Sequence, residues 1–199
     1  MYIWQRFLIT FSAILFFSAS VYAEKVVVKN PQTNKGEKYV VSELKEGGKF
    51  FHDRDYTITG IPKEFLGLPQ ILSSADSLGG VDYLWTFDID RPATVYLAFD
   101  SRFPRPEDRK QDPAGWFEKV YTDTKKELFL DAPHPKTSYW IYKSKKAYPK
   151  GEVTIFGIDG GRHPDPIIMW TIFVEEGKAV QPAGKLTTVW GIIKGQVDE

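Results

Sequence analysis

The 199-residue chain contains no cysteine. That absence excludes disulfides, thiolate metal sites and cysteine nucleophiles. Histidine is scarce: His52, His134 and His163 are the three present, and none sits in HExxH or another short ligand spacing. All three read as loop or surface residues. There is no GxSxG, so the strained serine elbow of an α/β hydrolase is missing. Charge of one sign is also missing, with 26 basic against 26 acidic residues. A balanced surface offers no broad electrostatic footprint for nucleic acid or an anionic membrane. No internal repeat and no long amphipathic helix are visible. Asp159-Gly160-Gly161-Arg162-His163 lacks the following helix that a phosphate cradle needs. Carboxylates are plentiful, but EF-hand spacing is absent, and neither a metal nor a cofactor is expected.

The first residues carry the one apolar run of note. Met1–Arg6 holds a single positive side chain, Phe7–Phe17 is apolar, and Ser18–Ala23 is small-residue-rich, ending Val21-Tyr22-Ala23. This is the layout of a secretory signal peptide, expected to be cut after Ala23. The run is too short to span a bilayer, which takes roughly 20 apolar residues. The expectation is therefore a secreted or periplasmic protein with no stable span after cleavage. An exported domain without disulfides must rest on its core alone, a pattern that fits bacterial exported proteins.

Aromatic residues are abundant, at 15% of the chain. Short strand-like runs punctuated by Gly, Pro and Asp follow one another from Phe50 onward. Candidate strands are Lys25–Lys29, Tyr39–Leu44, Tyr56–Ile61, Gln70–Leu72, Tyr83–Ile89, Thr94–Asp100, Glu127–Leu130, Ser138–Lys143, Glu152–Phe156 and Ile167–Val174. Asn30–Lys38 reads as turn-rich and polar, Lys63–Leu66 as one helical turn, and Trp116–Tyr121 as a short helix or a strand. In Thr94–Asp100, Val95, Leu97 and Phe99 share one face, and Tyr96, Ala98 and Asp100 the other. Runs that do not alternate with helices predict an all-β fold, an antiparallel, jelly-roll-like β-sandwich. The expected organisation is a signal peptide over 1–23, lead-in strands over 24–44, the sandwich over 45–176, and a C-terminal segment over 177–199. Leu186–Ile193 in that segment is apolar and is expected to pack back on the domain.

One set of residues is more specific. It comprises Gly48–Tyr56 (GKFFHDRDY), Ile61-Pro62 and Ile71, then Phe87, Val95–Arg102 (VYLAFDSR), Pro113 and Trp116, and finally Tyr142 and Gly151–Gly157 (GEVTIFG). This order resembles the β-sandwich accessory modules of secreted bacterial polysaccharide-degrading enzymes. Those modules show a DR-x-Y element, a VYVA-x-D-x-R strand, a P-x-W-L element and a late G-x-V-x-LG strand. The likeness covers about residues 45–175 and departs in places. The loop Phe103–Asp112 is longer and charged, two residues separate Pro113 from Trp116, Phe117 stands for Leu, and Phe156 precedes Gly157. The resemblance implies the fold and an exported setting, and little chemistry.

Sugar binding uses aromatic faces, which stack on the C–H face of a pyranose while Asp, Arg and Asn bond its hydroxyls. Trp140 and Tyr142 share one face of a strand, and Tyr139 and Ile141 the other. If Ile141 marks the core, Trp140 and Tyr142 form an outward platform; the opposite assignment buries them. Asp100, Arg102 and Trp116 flank the Pro-rich charged loop Ser101–Pro113, where binding residues would concentrate. They are expected to converge and border a ligand. The alternative is that Asp100 and Arg102 pair with each other while Trp116 fills the core. Asp53, Arg54 and Asp55 read first as an ion-pair set pinning a strand to its neighbour. The leading expectation is a non-catalytic module binding carbohydrate or a glycan surface through Asp100, Arg102, Trp116, Trp140 and Tyr142. The others are a small glycoside-active enzyme using a carboxylate pair and a structural or adhesion module binding a protein partner.

Overall fold

The computed structural model describes residues 25–75, 80–131, 137–159 and 170–177. Signal cleavage, the Leu186–Ile193 segment, His134 and His163 lie outside the described residues. Ten strands run in chain order: β1 (Val28–Thr33), β2 (Val40–Glu43), β3 (Ile58–Gly60), β4 (Pro69–Leu72), β5 (Leu84–Ile89), β6 (Ala93–Asp100), β7 (Tyr121–Leu130), β8 (Thr137–Ser144), β9 (Gly151–Phe156) and β10 (Trp170–Glu176). One helix, α1 (Trp116–Val120), and 3-10 turns at Lys63–Phe65 and Pro106–Asp108 complete the described elements. All strand pairs are antiparallel, in a three-stranded sheet ordered β1-β5-β9 and a seven-stranded sheet ordered β2-β4-β10-β6-β8-β7-β3. The fold is an antiparallel β-sandwich.

Alternation builds the layer between the sheets. Trp85, Phe87 and Ile89 of β5 and Val153 and Ile155 of β9 point inward to meet Val95, Leu97 and Phe99 of β6 and Trp170, Ile172 and Val174 of β10. Trp85 anchors the contact, stacked on Tyr39 at 4.5 Å and edge-on to Trp170 at 5.3 Å. Such aromatic pairs add roughly 0.5–1.5 kcal/mol beyond area burial. Two glycines of the GEVTIFG run have backbone reasons. Gly151 opens β9 at φ +125°, a conformation L side chains rarely adopt, and a Cβ on Gly157 would collide with the backbone oxygens of Gly80 and Tyr83.

The seven-stranded sheet is apolar on its other face too. There Tyr96, Ala98, Leu128, Leu130, Tyr139, Ile141 and Phe173, with Ile58 of the edge strand β3, pack under Leu44, Phe50, Phe51 and Phe65. The cover is irregular chain rather than a sheet. It is held by backbone bonds such as Leu44 N to Leu68 O, Ile58 N to Gly48 O and His52 N to Ser73 O. The Asp53 carboxylate accepts from Ser74 Oγ and from the Ala75 amide at 2.8 Å. It therefore pins this cover to the chain after β4, not one strand to its neighbour, while Asp55 pairs with Lys49.

Two elements differ from the sequence expectation. Asn30–Thr33, read as turn, is the body of β1: pairing with β5 overrides the low strand propensity of Asn and Pro, at the cost of a bulge. β7 begins at Tyr121 rather than Glu127, because the polar residues 122–126 gain a ladder from β8 that their composition does not advertise.

Candidate functional site

The seven-stranded sheet extends past the three-stranded one, so strands β8 and β7 are covered on the inner side by α1 and the loop 101–113 instead. The loop is braced internally by Arg109 Nε donating to Pro104 O at 2.6 Å and Gln111 Nε2 to Pro106 O at 3.0 Å, and it is tied to the body by the Phe117 amide donating to Gln111 Oε1 at 2.9 Å and the Asp159 amide to Lys110 O at 3.0 Å. Burial pushes the Arg109 guanidinium below its ordinary value; its Cζ lies 5.8 Å from the rings of both Phe99 and Phe103.

Both faces of β8 are covered. Tyr139 and Ile141 enter the irregularly covered core, whereas Tyr142 and half-buried Trp140 turn toward the inter-sheet core. Tyr142 is only 2% exposed, so it does not form an outward platform. Its ring meets Phe117 at 5.0 Å and Phe99 at 5.8 Å, and its hydroxyl donates to Glu107 Oε2 at 3.1 Å. Burial and the Glu107 carboxylate raise the Tyr142 phenol well above its ordinary value.

Trp140 keeps partial exposure. Arg105 lies over its ring at 4.4 Å, held by Nη1 bonds to Asp123 Oδ2 at 2.9 Å and to the Tyr142 hydroxyl at 3.1 Å. Burial opposes the Arg105 charge, but these acceptors hold its value above the ordinary one. Glu127 stands opposite Trp140 in the ladder, and Phe129, 39% exposed, stands opposite Ser138. Ser138 Oγ lies 2.7 Å from Ser101 Oγ. Paired residues share a face, so Trp140, Phe129, Glu127 and Ser138 form one amphipathic strip bordered by Arg105.

The other candidates do not join it. Asp100 and Trp116 are separated by the sheet. Asp100 alternates onto the face of Tyr96 and Ala98, opposite Tyr139, and Trp116 is buried in the inter-sheet core among Phe117, Tyr121 and Phe156. The Asp100 carboxylate has no exposed surface and takes Arg102 Nε at 3.0 Å and Nη2 at 2.5 Å. The convergence of Asp100, Arg102 and Trp116 is thus replaced by an ion pair on one side and a core plug on the other. Strand parity decides this: Asp100 is one residue past Phe99, which faces Trp116's side. Asp123 was not singled out from the sequence, because its approach to Trp140 depends on a β7 start that polar residues conceal.

Among the described residues, no group of three or more His, Asp or Glu is arranged to hold a metal ion, and no helix is long and apolar enough to cross a membrane. His52 is exposed, its ring 5.9 Å from that of Tyr39.

No protein-family model matches the chain, and no curated protein matches it in sequence. Among solved structures, a β-glucuronidase from glycoside hydrolase family 2 superposes with a TM-score of 0.53 at 17% identity, over 79% of this chain and 14% of that one. A glycoside hydrolase family 138 enzyme targeting pectin rhamnogalacturonan II superposes with a TM-score of 0.46 at 16% identity, over 78% of this chain and 17% of that one. The chain thus spans only a small part of either enzyme's length. What the first superposition shows is a shared fold: this chain is similar to a sandwich-sized portion of a much larger glycoside hydrolase.

Proposed function

We propose that this protein is an exported, non-catalytic β-sandwich that binds carbohydrate through the strip around Trp140. The observation that carries the reading is the half-buried indole of Trp140 beside Phe129, with Arg105, Glu127 and Ser138 at its border. An apolar ring plane next to fixed charged and hydroxyl groups is what a pyranose needs: a surface for its C–H face and partners for its hydroxyls. Arg105 already rests on the ring, so a sugar either shares the indole with it or swings it aside toward Asp123. Support also comes from the glycoside hydrolase setting of the superposed sandwich.

Asp100, Arg102 and Trp116 act in this reading as the scaffold under the loop, and Tyr142 as the post that fixes Arg105 and Glu107. The test is affinity electrophoresis of the purified protein through gels holding neutral and uronate-containing polysaccharides. The parent should be retarded by at least one polysaccharide. Trp140→Ala should weaken that retardation, and Arg105→Ala, which removes no core ring, should alter it with an unchanged circular dichroism spectrum. A parent that runs freely through every gel, or a Trp140→Ala protein retarded like the parent, overturns the proposal.

A further inference from the structure

The three-stranded sheet has an opening of its own. β1 loses register with β5 between Lys29, opposite Asp88, and Gln32, opposite Thr86. Asn30 turns into the left-handed region at φ 51°, and Pro31 follows it, so two residues stand where a regular ladder would place one. On its other side Gln32 meets Lys38 in a single bridge. The bulge leaves a cavity of about 420 Å³ bordered by Asn30, Gln32, Lys38, Thr86, Asp88 and Glu152, with Tyr39 and Pro31 supplying apolar surface. That volume falls in the range of small-molecule sites.

The chemistry of the border is unusual for a sheet. Asp88 and Glu152 stand directly opposite each other across β5 and β9. Like charges in that relation destabilise a ladder. Neither carboxylate makes an ion pair with a described residue, not even Asp88 with Lys29, its partner in register on β1. Asp88 is instead oriented by Asn30, whose Nδ2 donates to Oδ2 at 2.8 Å. Two carboxylates, two amides, a hydroxyl and one ammonium group converge on one hollow. The carboxylates are strong acceptors for hydroxyl donors, and the amide of Gln32 and the Lys38 ammonium can donate in return. Two negative groups against one positive group disfavour a ligand that carries an acid.

We propose that this cavity is a second glycan subsite, taking one or two neutral, hydroxyl-rich sugar units and rejecting uronate, sulfate or phosphate esters. It extends the carbohydrate-binding reading, but it lies on the other sheet from Trp140 and shares no residue with that strip. Bulges are over-represented beside functional sites because they re-aim side chains, and here the bulge aims Asn30 at Asp88 and opens the hollow.

The experiment is a calorimetric titration of the protein with a neutral hexose oligosaccharide and with a uronate-containing one, for the parent, Trp140→Ala and the near-isosteric double variant Asp88→Asn/Glu152→Gln. Melting curves confirm folding of each. The neutral oligosaccharide should still bind Trp140→Ala, and the double variant should weaken that binding about tenfold or more, the loss of one charge-assisted hydrogen bond. The uronate should leave the cavity empty. If the double variant alone abolishes binding and Trp140→Ala matches the parent, the cavity stands and the Trp140 strip falls. If Trp140→Ala removes all binding, the cavity proposal is overturned while the strip stands; a double variant that binds like the parent also overturns the cavity, and the strip then stands only if Trp140→Ala binds more weakly than the parent. Absence of binding by the parent overturns both. Cleavage of the oligosaccharide during titration also overturns it, because Asp88 and Glu152 would then be a catalytic pair.

Discussion

The two faces of the seven-stranded sheet bury comparable aromatic cores under different covers. On one face, the three-stranded sheet supplies Trp85, Phe87, Ile89, Val153 and Ile155 in register. On the other, an irregular chain supplies Leu44, Phe50, Phe51 and Phe65. The irregular cover satisfies its backbone through scattered bonds such as Phe50 N to Tyr56 O at 3.0 Å, and it locks aromatic rings edge to face, with Phe50 and Phe51 at 4.7 Å. A second sheet is thus not required to close a sandwich face. What is required is enough apolar area and a partner for each buried amide.

The largest predicted effect probes whether the covers are equivalent. Trp85→Ala and Phe51→Ala should each cost about 3–5 kcal/mol, the usual range for removing a buried aromatic side chain. Both should shift one shared unfolding transition, measured by urea titration with fluorescence and circular dichroism. If Phe51→Ala left the midpoint almost unmoved and only raised local amide exchange over residues 44–68, the irregular cover would be a detachable flap. The comparison would then break.

The same contrast explains what could be read from the sequence. β5 and β9 carry clean alternation because each buries one set of side chains against the opposing sheet, and in β6, buried on both faces, Val95, Leu97 and Phe99 still share a face as their spacing demands. β8 defeated that logic. The premise that one of its faces must be solvent fails, since Tyr139 and Ile141 lie under irregular chain and Trp140 and Tyr142 under the loop and α1. No period-2 rule distinguishes two covered faces. β1 was hidden because Asn30 and Pro31 carry turn propensity, which pairing with β5 overrode. The candidate site was legible in its aromatic half, Trp140, and not in its charged half. Arg105 and Asp123 meet only because a loop and a late-recognised strand fold together over the ring.

The middle prediction concerns Asp100 and Arg102, which sit on the irregularly covered face while the neighbouring Phe99 sits on the other. Arg102→Ala should lower stability by about 2 kcal/mol. The variant leaves a carboxylate with no exposed surface short of its cation, and the loss is smaller than for a fully buried pair because a third of the Arg102 side chain is exposed and solvent screens it. Thermal melts check the stability, and affinity electrophoresis should show carbohydrate retardation unchanged. Lost retardation at an unchanged melting temperature would move the site from the Trp140 strip to the Asp100 edge.

The smallest effect sharpens the comparison at the rim, where the Trp140 strip is held by charge rather than by burial. Burial works against ionisation of Asp123, but Lys125, Arg105 and the Lys125 amide together hold its carboxyl below the ordinary value. A depressed acid stabilises the fold above its unfolded-state value, and that stabilisation disappears as pH falls through the folded-state value. Asp123 should therefore contribute fully from about pH 5 upward and progressively less below about pH 4. The contribution is modest, about 0.5–1 kcal/mol, because Lys125 is 81% exposed and solvent screens the pair. Asp123→Asn should be less stable than the parent by that amount at pH 7, with the two denaturation midpoints converging as pH falls below about 4. It should also leave Arg105 with a neutral amide oxygen in place of the carboxylate, so the tryptophan fluorescence of a protein carrying that change should respond to pH less steeply than the parent's. A difference in stability that stays constant from pH 7 to pH 3 would mean that Asp123 serves by shape and hydrogen bonding alone. The rim would then be held, like the two cores beneath it, by packing.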